Sequence, residues 1–93
     1  MVVMILERAP ASLRGQLSRW MMELKPGVFL GTMSALVRDE LWDLCRTRIG
    51  DGGCVLVHPA QTEQGFAVRW QGTLTRQPVD YEGLWLIRRP ADE

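Results

Sequence analysis

The chain has 93 residues, of which 46% are hydrophobic, and its 11 cationic residues balance 11 acidic residues. This composition excludes an intrinsically disordered chain, which needs low hydrophobicity and high net charge. The length allows one small domain, and a chain this short often gains stability by oligomerising, so we expect a homodimer. No apolar run approaches the roughly 20 residues that span a bilayer, and the N-terminus lacks a basic lead. We therefore expect a cytoplasmic protein with no membrane partner.

The first half of the chain alternates strands and helices. Residues 2–6 form a short, continuous, β-branched run that predicts a buried strand. Helical spacing then predicts an amphipathic helix from Ser12, its N-cap, to a stop at residues 25–27. Gly15 within this helix suggests a close approach to its backbone. The apolar positions of the helix are Leu13, Leu17, Trp20, Met21 and Leu24.

A second strand over residues 28–30 and a second helix opened by Ser34 follow. Residues 54–57 again predict a buried strand. In residues 65–71 the apolar Phe66, Val68 and Trp70 alternate with other residues, as in a strand with one covered and one wet face. A turn over residues 61–64 joins these two strands.

The C-terminal region predicts an exposed loop over residues 72–78, containing Arg76, and a last strand that stops at residues 88–90. We divide the single domain into a core, residues 1–78, and a C-terminal docking segment, residues 79–93. A terminal strand rich in Leu, Trp and Ile on an open sheet edge invites pairing with another chain. We therefore expect this segment to dock to a partner chain through its open strand edge.

The order of elements predicts an α/β sandwich of the ferredoxin-like kind, with two helices on one face of a four-stranded sheet and an additional C-terminal strand. The strict form of this fold needs two strands between its helices. The sequence shows one clear run there, residues 28–30.

Few residue types suit a metal or nucleophile site. Cys45 and Cys54 lie among apolar neighbours and predict buried, reduced thiols, and the single histidine, His58, reads as a strand-end residue. Trp20 and Trp70 fall on apolar sides of their elements and favour core packing. The other two tryptophans, Trp42 and Trp85, suit an interface.

Glu7 ends the first strand and is followed by arginines, so this junction suits either a divalent metal or a phosphate backbone. A magnesium nuclease normally needs two or more oxygen ligands, and only Glu7 is present at the junction. A second Glu7 across a two-fold axis could complete such a site. The simpler alternative is a solvated carboxylate or an arginine partner.

The basic residues are unevenly distributed. Ten of the 11 cations are arginine, whose planar fork of donors matches phosphate oxygens, although genomic base composition is an equally good explanation. Residues 1–25 contain an excess of basic residues, whereas the second helix carries Asp39, Glu40 and Asp43 on its exposed side. A basic face can therefore coexist with overall neutrality.

Several fragments in order resemble one known family. They are ERAPASLRGQLSRW from Glu7, GVFLG from Gly27, SALVRDELW from Ser34, TEQGF from Thr62 and PVD from Pro78. Together they resemble the small CRISPR-associated spacer-acquisition protein, the second Cas protein, in its type I-E form. The resemblance spans essentially the whole chain.

The resemblance implies a ferredoxin-like homodimer that bridges two dimers of the CRISPR integrase, the first Cas protein, and supports the middle of the protospacer DNA duplex. It also implies a family described as metal-dependent endoribonuclease or endodeoxyribonuclease, whose metal-binding aspartate corresponds to Glu7 here. The scaffold function needs no cofactor, whereas the nuclease alternative needs magnesium and paired Glu7 side chains. A toxin-like or regulatory dimer that binds no nucleic acid is the third alternative.

The resemblance also implies individual residue roles. Arg14, Lys25 and Arg76 match basic positions along the DNA backbone, and Arg19 is added from its helical face. The type I-E form has two adjacent basic residues near Arg76, whereas this chain has Thr75 before Arg76. We therefore expect fewer basic contacts to the DNA backbone. The predicted integrase contacts are Glu63, Glu82 and the segment from Val79 to Ile87, including Leu84, Trp85 and Leu86.

Overall fold

The structure, a computed structural model, describes residues 1–88. The predicted stop after Arg88 and the end of the docking segment lie outside the described residues. Within them, neither helix is long and apolar enough to cross a membrane. The elements are β1 (Val2–Glu7), α1 (Ala11–Leu17), β2 (Met22–Lys25), β3 (Val28–Gly31), α2 (Ala35–Arg48), β4 (Gly53–Pro59), β5 (Phe66–Gly72), β6 (Gln77–Tyr81) and β7 (Leu84–Arg88).

Strands β1 to β5 form one antiparallel sheet in the order β2-β3-β1-β4-β5. The first six elements, from β1 to β4, run strand, helix, strand, strand, helix, strand, with β1 and β3 in the middle. This arrangement is consistent with the ferredoxin-like fold, which confirms the predicted fold class. The sheet has five strands instead of the expected four, because β2 was not recognised in the sequence.

The core lies between the sheet and the two helices. Alternate residues of β1 point into it, and they pack against apolar residues from both helices and from the neighbouring strands. Three of the sheet residues, Met4, Phe29 and Leu56, are at most 1% exposed. The largest fully buried side chains are Phe29, Met4, Leu13, Leu17, Leu56, Cys45 and Cys54.

The prediction for the first helix was wrong beyond its second turn. Helix α1 ends at Leu17, and its N-cap is Pro10, not Ser12, with no side-chain cap. Residues 18–21 form turns in which Met21 remains buried, and residues 22–25 then pair with β3. Ladder hydrogen bonds to a neighbouring strand outweigh the helical spacing of the apolar residues.

For two residues that were predicted to lie on this helix, the surroundings differ from the expected ones. Trp20 lies in the turns after α1 and is 58% exposed, so its assignment to the core was wrong. Gly15 has no neighbouring atom within 4 Å of the position where a Cβ would stand, so nothing within the described chain approaches it.

Helix α2 begins as predicted, because the Ser34 hydroxyl accepts a hydrogen bond from the Val37 N–H at 3.3 Å. Its buried residues include Cys45 and Trp42, which is 8% exposed, so Trp42 belongs to the core and not to an interface. The buried thiols confirm the expected apolar setting of Cys45 and Cys54.

The opposite face of the sheet carries no helix and is almost entirely apolar. The strand register aligns Met22, Leu30, Val3, Val57 and Val68 in one row across all five strands. A second row, beginning at Lys25, contains Val28, Ile5, Val55 and Trp70. We call these two rows the helix-free face.

Strand β5 differs from the expectation on its polar side. Val68 and Trp70 belong to the helix-free face, and residues 66–70 are half-buried. Arg69 forms an ion pair with Asp39 at 3.0 Å, and the Gln71 amide donates to the Arg46 carbonyl oxygen at 3.1 Å. The polar side of β5 therefore contacts α2, while Gln71 remains exposed as predicted.

The C-terminal segment contains two strands instead of one. Strands β6 and β7 form a separate antiparallel hairpin, with Tyr81 opposite Leu84. Glu82 and Gly83 form its two-residue turn, with φ of 51° and 87°, and this left-handed pair is typical of a type I′ turn. Asp80 accepts a hydrogen bond from the Gly83 N–H at 3.0 Å and stabilises the turn.

Candidate nucleic-acid and partner interface

Four chain segments far apart in sequence meet where β1 ends at Glu7. They are the start of α1, the β2–β3 turn at residues 25–28, the loop before β4 at residues 49–52, and the loop after β5 at residues 73–76. The Leu6 N–H donates to the Gly27 carbonyl oxygen at 2.7 Å, and Gly53 pairs with both Glu7 and Gly72. We call this part of the molecule the Glu7 end. A Cβ on Gly27 would collide with the Leu6 carbonyl group, so the turn requires glycine there.

Arg14 projects from α1 toward the β2–β3 turn. Its Nη2 and Nε donate to one oxygen of Glu23 at 2.7 Å and 3.1 Å, and the Gly27 N–H donates to the same oxygen at 3.0 Å. The Gly27 N–H and then the Arg14 guanidinium hold the pKa of the Glu23 carboxyl below its usual range. Arg14 is 40% exposed and keeps unused N–H groups for a further anion.

Three of the four predicted DNA-contacting residues lie at the Glu7 end. Arg14 lines a shallow cleft of about 200 Å³ together with Arg8, Pro26 and Gly27. Lys25 precedes that turn, and Arg76 belongs to the loop after β5. Arg19 does not join them, because it follows α1 at the opposite end of the sheet, where the Trp20 backbone approaches Gly31.

Lys25 and Arg76 are exposed and form no ion pair within residues 1–88, and the same holds for Arg19. The paired cations in that range are Arg14, Arg38, Arg46 and Arg69. An exposed cation without a carboxylate partner retains its full charge for an incoming phosphate. Arg8 at the same end is also exposed and has no ion pair within residues 1–88, so the Glu7 end offers three such cations and one partly neutralised arginine.

Glu7 uses both carboxylate oxygens within the chain. Oε1 accepts a hydrogen bond from the Thr75 N–H, and Oε2 accepts one from the Thr75 hydroxyl, each at 2.8 Å. No group of three or more His, Cys, Asp or Glu side chains suited to a metal occurs among residues 1–88. A magnesium ion prefers several oxygen ligands, and the described part of one chain offers no such group of side chains around Glu7. The donor set of one described chain thus does not fit a magnesium centre at Glu7.

The docking hairpin contacts the turn between β4 and β5 through one side chain. The Gln64 amide donates to the Trp85 carbonyl oxygen at 3.1 Å, and its Oε1 accepts from the Trp85 N–H at 2.6 Å. In a hairpin with a two-residue turn, Asp80 and Trp85 form a non-hydrogen-bonded pair, so the Trp85 backbone points away from β6. Gln64 pairs with that outward edge as a neighbouring strand would.

This contact brings the predicted integrase-binding residues to one side of the molecule. Glu63 precedes Gln64 in the β4–β5 turn, and Glu82 lies in the hairpin turn three residues before Trp85; both carboxylates are exposed. Leu86 and Ile87 are also largely exposed on β7. The β4–β5 turn lies at the opposite end of β5 from Thr73, so the two carboxylates are separate from the Glu7 end, whereas Ile87 lines the same cavity as Glu7 and Arg76.

An apolar cavity of about 360 Å³ separates the hairpin from the helix-free face. Its hairpin wall is formed by Pro78, Trp85 and Ile87, and its floor by residues of β1, β4 and β5, including Ile5, Val57 and Val68. The hairpin thus covers part of β1, β4 and β5 on this face and leaves β2 and β3 uncovered. Met22 at the other edge is 59% exposed.

A polar cluster on the helix side contains His58. The Arg38 guanidinium donates to His58 Nδ1 at 3.2 Å and to Asp39 at 3.1 Å, and the Arg38 hydrogen bond followed by that of Arg69 lowers the pKa of the Asp39 carboxyl. His58 is buried at the end of β4, as the strand-end interpretation predicted. Burial raises the pKa of the Cys45 thiol to about 12 and that of Cys54 to about 11, so neither is a ready nucleophile.

Comparison with known families identifies the chain at the family level. The family model described as CRISPR-associated protein (Cas_Cas2CT1978) matches residues 1–86. The chain belongs to this family. It is therefore a CRISPR-associated, Cas2-like protein, and this membership suggests a role in CRISPR adaptation. The match covers both the Glu7 end and all but the last described residues of the hairpin.

Sequence reasoning missed three side chains that shape this Cas2-like site: Glu23, Gln64 and Thr75. The sequence placed Glu23 on the first helix. Its ion pair with Arg14 depends on β2 being a strand and was therefore not predicted. Gln64 and Thr75 carry no charge and lie in connecting segments. Gln64 binds backbone groups of Trp85, 21 positions away, and Thr75 binds the Glu7 carboxylate, 68 positions away. The one sequence signal was the position of Thr75 directly before Arg76, where the resembling subtype has a basic residue.

Proposed function

We propose that this protein is a dimeric DNA-binding scaffold of the type I-E CRISPR adaptation complex, which bridges two integrase dimers and supports the protospacer duplex. The observation that carries the proposal is the separation of charge. Arg14, Lys25 and Arg76 lie at the Glu7 end, where cations outnumber acids, whereas Glu63 and Glu82 lie with the docking hairpin. One surface suits a phosphate backbone and the other suits a basic protein partner.

The DNA contact is expected to be independent of base sequence. Exposed guanidinium and ammonium groups on loops bind phosphate oxygens but do not reach base edges as an inserted helix does. Such binding releases counterions, so affinity falls steeply as the salt concentration rises. In a homodimer each basic surface occurs twice, related by the two-fold axis, which suits a duplex lying across both copies.

The helix-free face supports the homodimer. Two rows of side chains, apolar except for Lys25, cross all five strands, and the hairpin of the same chain covers only part of them. An exposed apolar patch of this extent marks an association surface. Self-association through this face is isologous, because each copy offers the same rows to the other.

The hairpin supports docking to the integrase. Leu86 exposes apolar area on the outer face of β7, and the carboxylates Glu63 and Glu82 are exposed toward the turn end of the hairpin. Apolar anchors with a charged rim are the usual composition of a specific protein interface. We expect the integrase to present basic residues opposite these carboxylates.

A salt titration of DNA binding tests the proposal. Fluorescence anisotropy with two duplexes of unrelated sequence should give similar affinities, and Arg76→Glu should weaken both about tenfold. The same substitution should reduce the slope of log affinity against log salt by about 1. The charge-matched control is Arg46→Glu, because Arg46 is paired with Asp43 on α2. Equal losses for the two variants, or none for Arg76→Glu at low salt, would refute the DNA assignment.

A column experiment tests the partner. The wild-type protein should co-elute with the integrase, and truncation after residue 78 should abolish co-elution. The toxin-like alternative predicts neither DNA binding nor co-elution. The nuclease alternative predicts magnesium-dependent cleavage that Glu7→Gln abolishes and Thr75→Val leaves intact. Such cleavage would overturn the assignment of Glu7 to a structural role.

A further inference from the structure

The loop after β5 is held at three consecutive residues by neighbouring segments, including the end of β1. The Thr73 N–H donates to the Gly52 carbonyl oxygen at 3.1 Å, Leu74 is buried, and Thr75 binds Glu7. Strand pairing ends at Gly72, so no ladder hydrogen bond holds these residues. Their position depends on contacts from other segments.

Arg8 contributes to the same loop. Its Nη2 donates to the Thr73 carbonyl oxygen at 3.3 Å and to the Asp51 carbonyl oxygen at 2.9 Å. Arg8 has a φ of 55°, in the left-handed region that non-glycine residues rarely adopt, so the chain turns sharply after Glu7. Two successive side chains at the end of β1 thus hold a loop that is more than 60 residues later in sequence.

The Glu7 contact is the stronger of the two by its chemistry. A carboxylate accepts hydrogen bonds from both the backbone N–H and the hydroxyl of one residue, so the threonine side chain and backbone are fixed together. Arg76 follows immediately, and β6 begins at Gln77. Any change at Thr75 is therefore transmitted within two residues to a predicted DNA contact and to the base of the docking hairpin.

We propose that Glu7 is a positioning residue, which orders the 73–76 loop through Thr75 and thereby sets the orientation of Arg76 and the β6–β7 hairpin. We call this pair the Glu7–Thr75 latch. Gln64 holds Trp85 near the turn of the hairpin, and the latch holds the base of the hairpin. Because the base is where the hairpin leaves the sheet, the latch determines the direction of the hairpin. The consequence for integrase docking rests on the proposed function above.

Amide hydrogen exchange and residual dipolar couplings on the free, full-length protein test the latch without any partner. In Glu7→Ala the Thr75 and Arg76 amides should exchange about tenfold faster. The couplings of residues 77–88 should also change relative to those of β1 to β5. Thr75→Val should reproduce the reorientation, Thr75→Ser should restore wild-type couplings, and the control Glu40→Ala on α2 should alter neither measurement.

Binding to the purified integrase then measures the functional consequence. Glu7→Ala and Thr75→Val should each weaken binding roughly fivefold, and the double variant should lose no more than the larger single effect, because each change breaks the same pair. Thr75→Ser should bind like wild type. A purely structural contribution would lower the melting temperature of these variants and leave the affinity of the folded protein unchanged.

The failures are distinguishable. Unchanged exchange at Thr75 in Glu7→Ala refutes the latch, and faster exchange with unchanged hairpin couplings refutes the positioning role. Lack of integrase binding by the wild-type protein refutes the proposed function, while the exchange and coupling data still decide whether Glu7 positions the hairpin.

Discussion

The two faces of the five-stranded sheet differ in what covers them. On one face, the two helices bury Met4, Phe29 and Leu56 almost completely, and the polar groups at its margins are paired. On the other, two apolar rows are only half covered by the hairpin of the same chain. The helix face contains the interactions that fold one chain, whereas the helix-free face retains apolar area for association. Substitutions on the two faces should therefore have separable effects on unfolding and on dimerisation.

The largest effect is expected on the helix face. Leu17→Ala removes a side chain with no exposed surface and leaves a cavity, so the free energy of unfolding should fall by about 3 kcal/mol. Val68→Ala on the helix-free face should cost less than about 1 kcal/mol at low protein concentration. Urea titrations of both variants measure the difference. Equal losses would mean that both faces are equally buried in the folded chain.

Association should respond in the opposite way. Met22→Asp places a charge at the exposed end of one apolar row, outside the part that the hairpin covers, so the dimer dissociation constant should rise at least about tenfold without unfolding the chain. Leu36→Asp is the control, because Leu36 is equally apolar and 69% exposed but lies on α2. Sedimentation equilibrium measures both constants. A larger effect of Leu36→Asp would assign the dimer to the helix side.

A smaller effect is expected at the hairpin. Gln64→Ala removes both hydrogen bonds to the Trp85 backbone and should destabilise the hairpin locally by about 1 kcal/mol. Faster hydrogen exchange at Trp85, with unchanged exchange in β1, would report this loss. Gln61→Ala, in the same exposed turn, supplies the matched control. Identical exchange in the two variants would show that Gln64 does not hold β7.

The smallest effect concerns pH. The folded-state pKa of Glu23 is lowered, so its stabilising contribution is present above the usual glutamate pKa of 4.5 and is lost as the pH falls through the lower folded value. Melting temperatures measured from pH 6 to pH 3 should therefore fall less in Glu23→Gln than in wild type. Glu40→Gln, on the exposed side of α2, should retain the wild-type pH dependence. A wild-type slope in Glu23→Gln would contradict the ion pair.

Much of the fold was accessible from the sequence because its signals are local. Continuous β-branched runs mark β1 and β4, Ser34 marks the start of α2, and the order of elements indicates the ferredoxin-like class. Strand β2 was missed because Met22 and Leu24 continue the apolar spacing of α1, and pairing with β3 alone makes them a strand. The two-stranded hairpin was missed because Val79 and Tyr81 precede a turn that only the left-handed conformations of Glu82 and Gly83 define.

The candidate site divides in the same way. The sequence by itself determined that basic residues follow the first strand, that Glu7 has no second acid beside it, and that the chain resembles the Cas2-like family to which it belongs. Only the tertiary structure decided that Arg14 is paired with Glu23, that Arg19 lies away from Arg76, and that Glu7 holds Thr75. Those contacts join residues separated by up to 68 positions, and their geometry depends on how the strands are ordered in the sheet. Local composition sets which side chains are available, whereas strand order sets which of them meet.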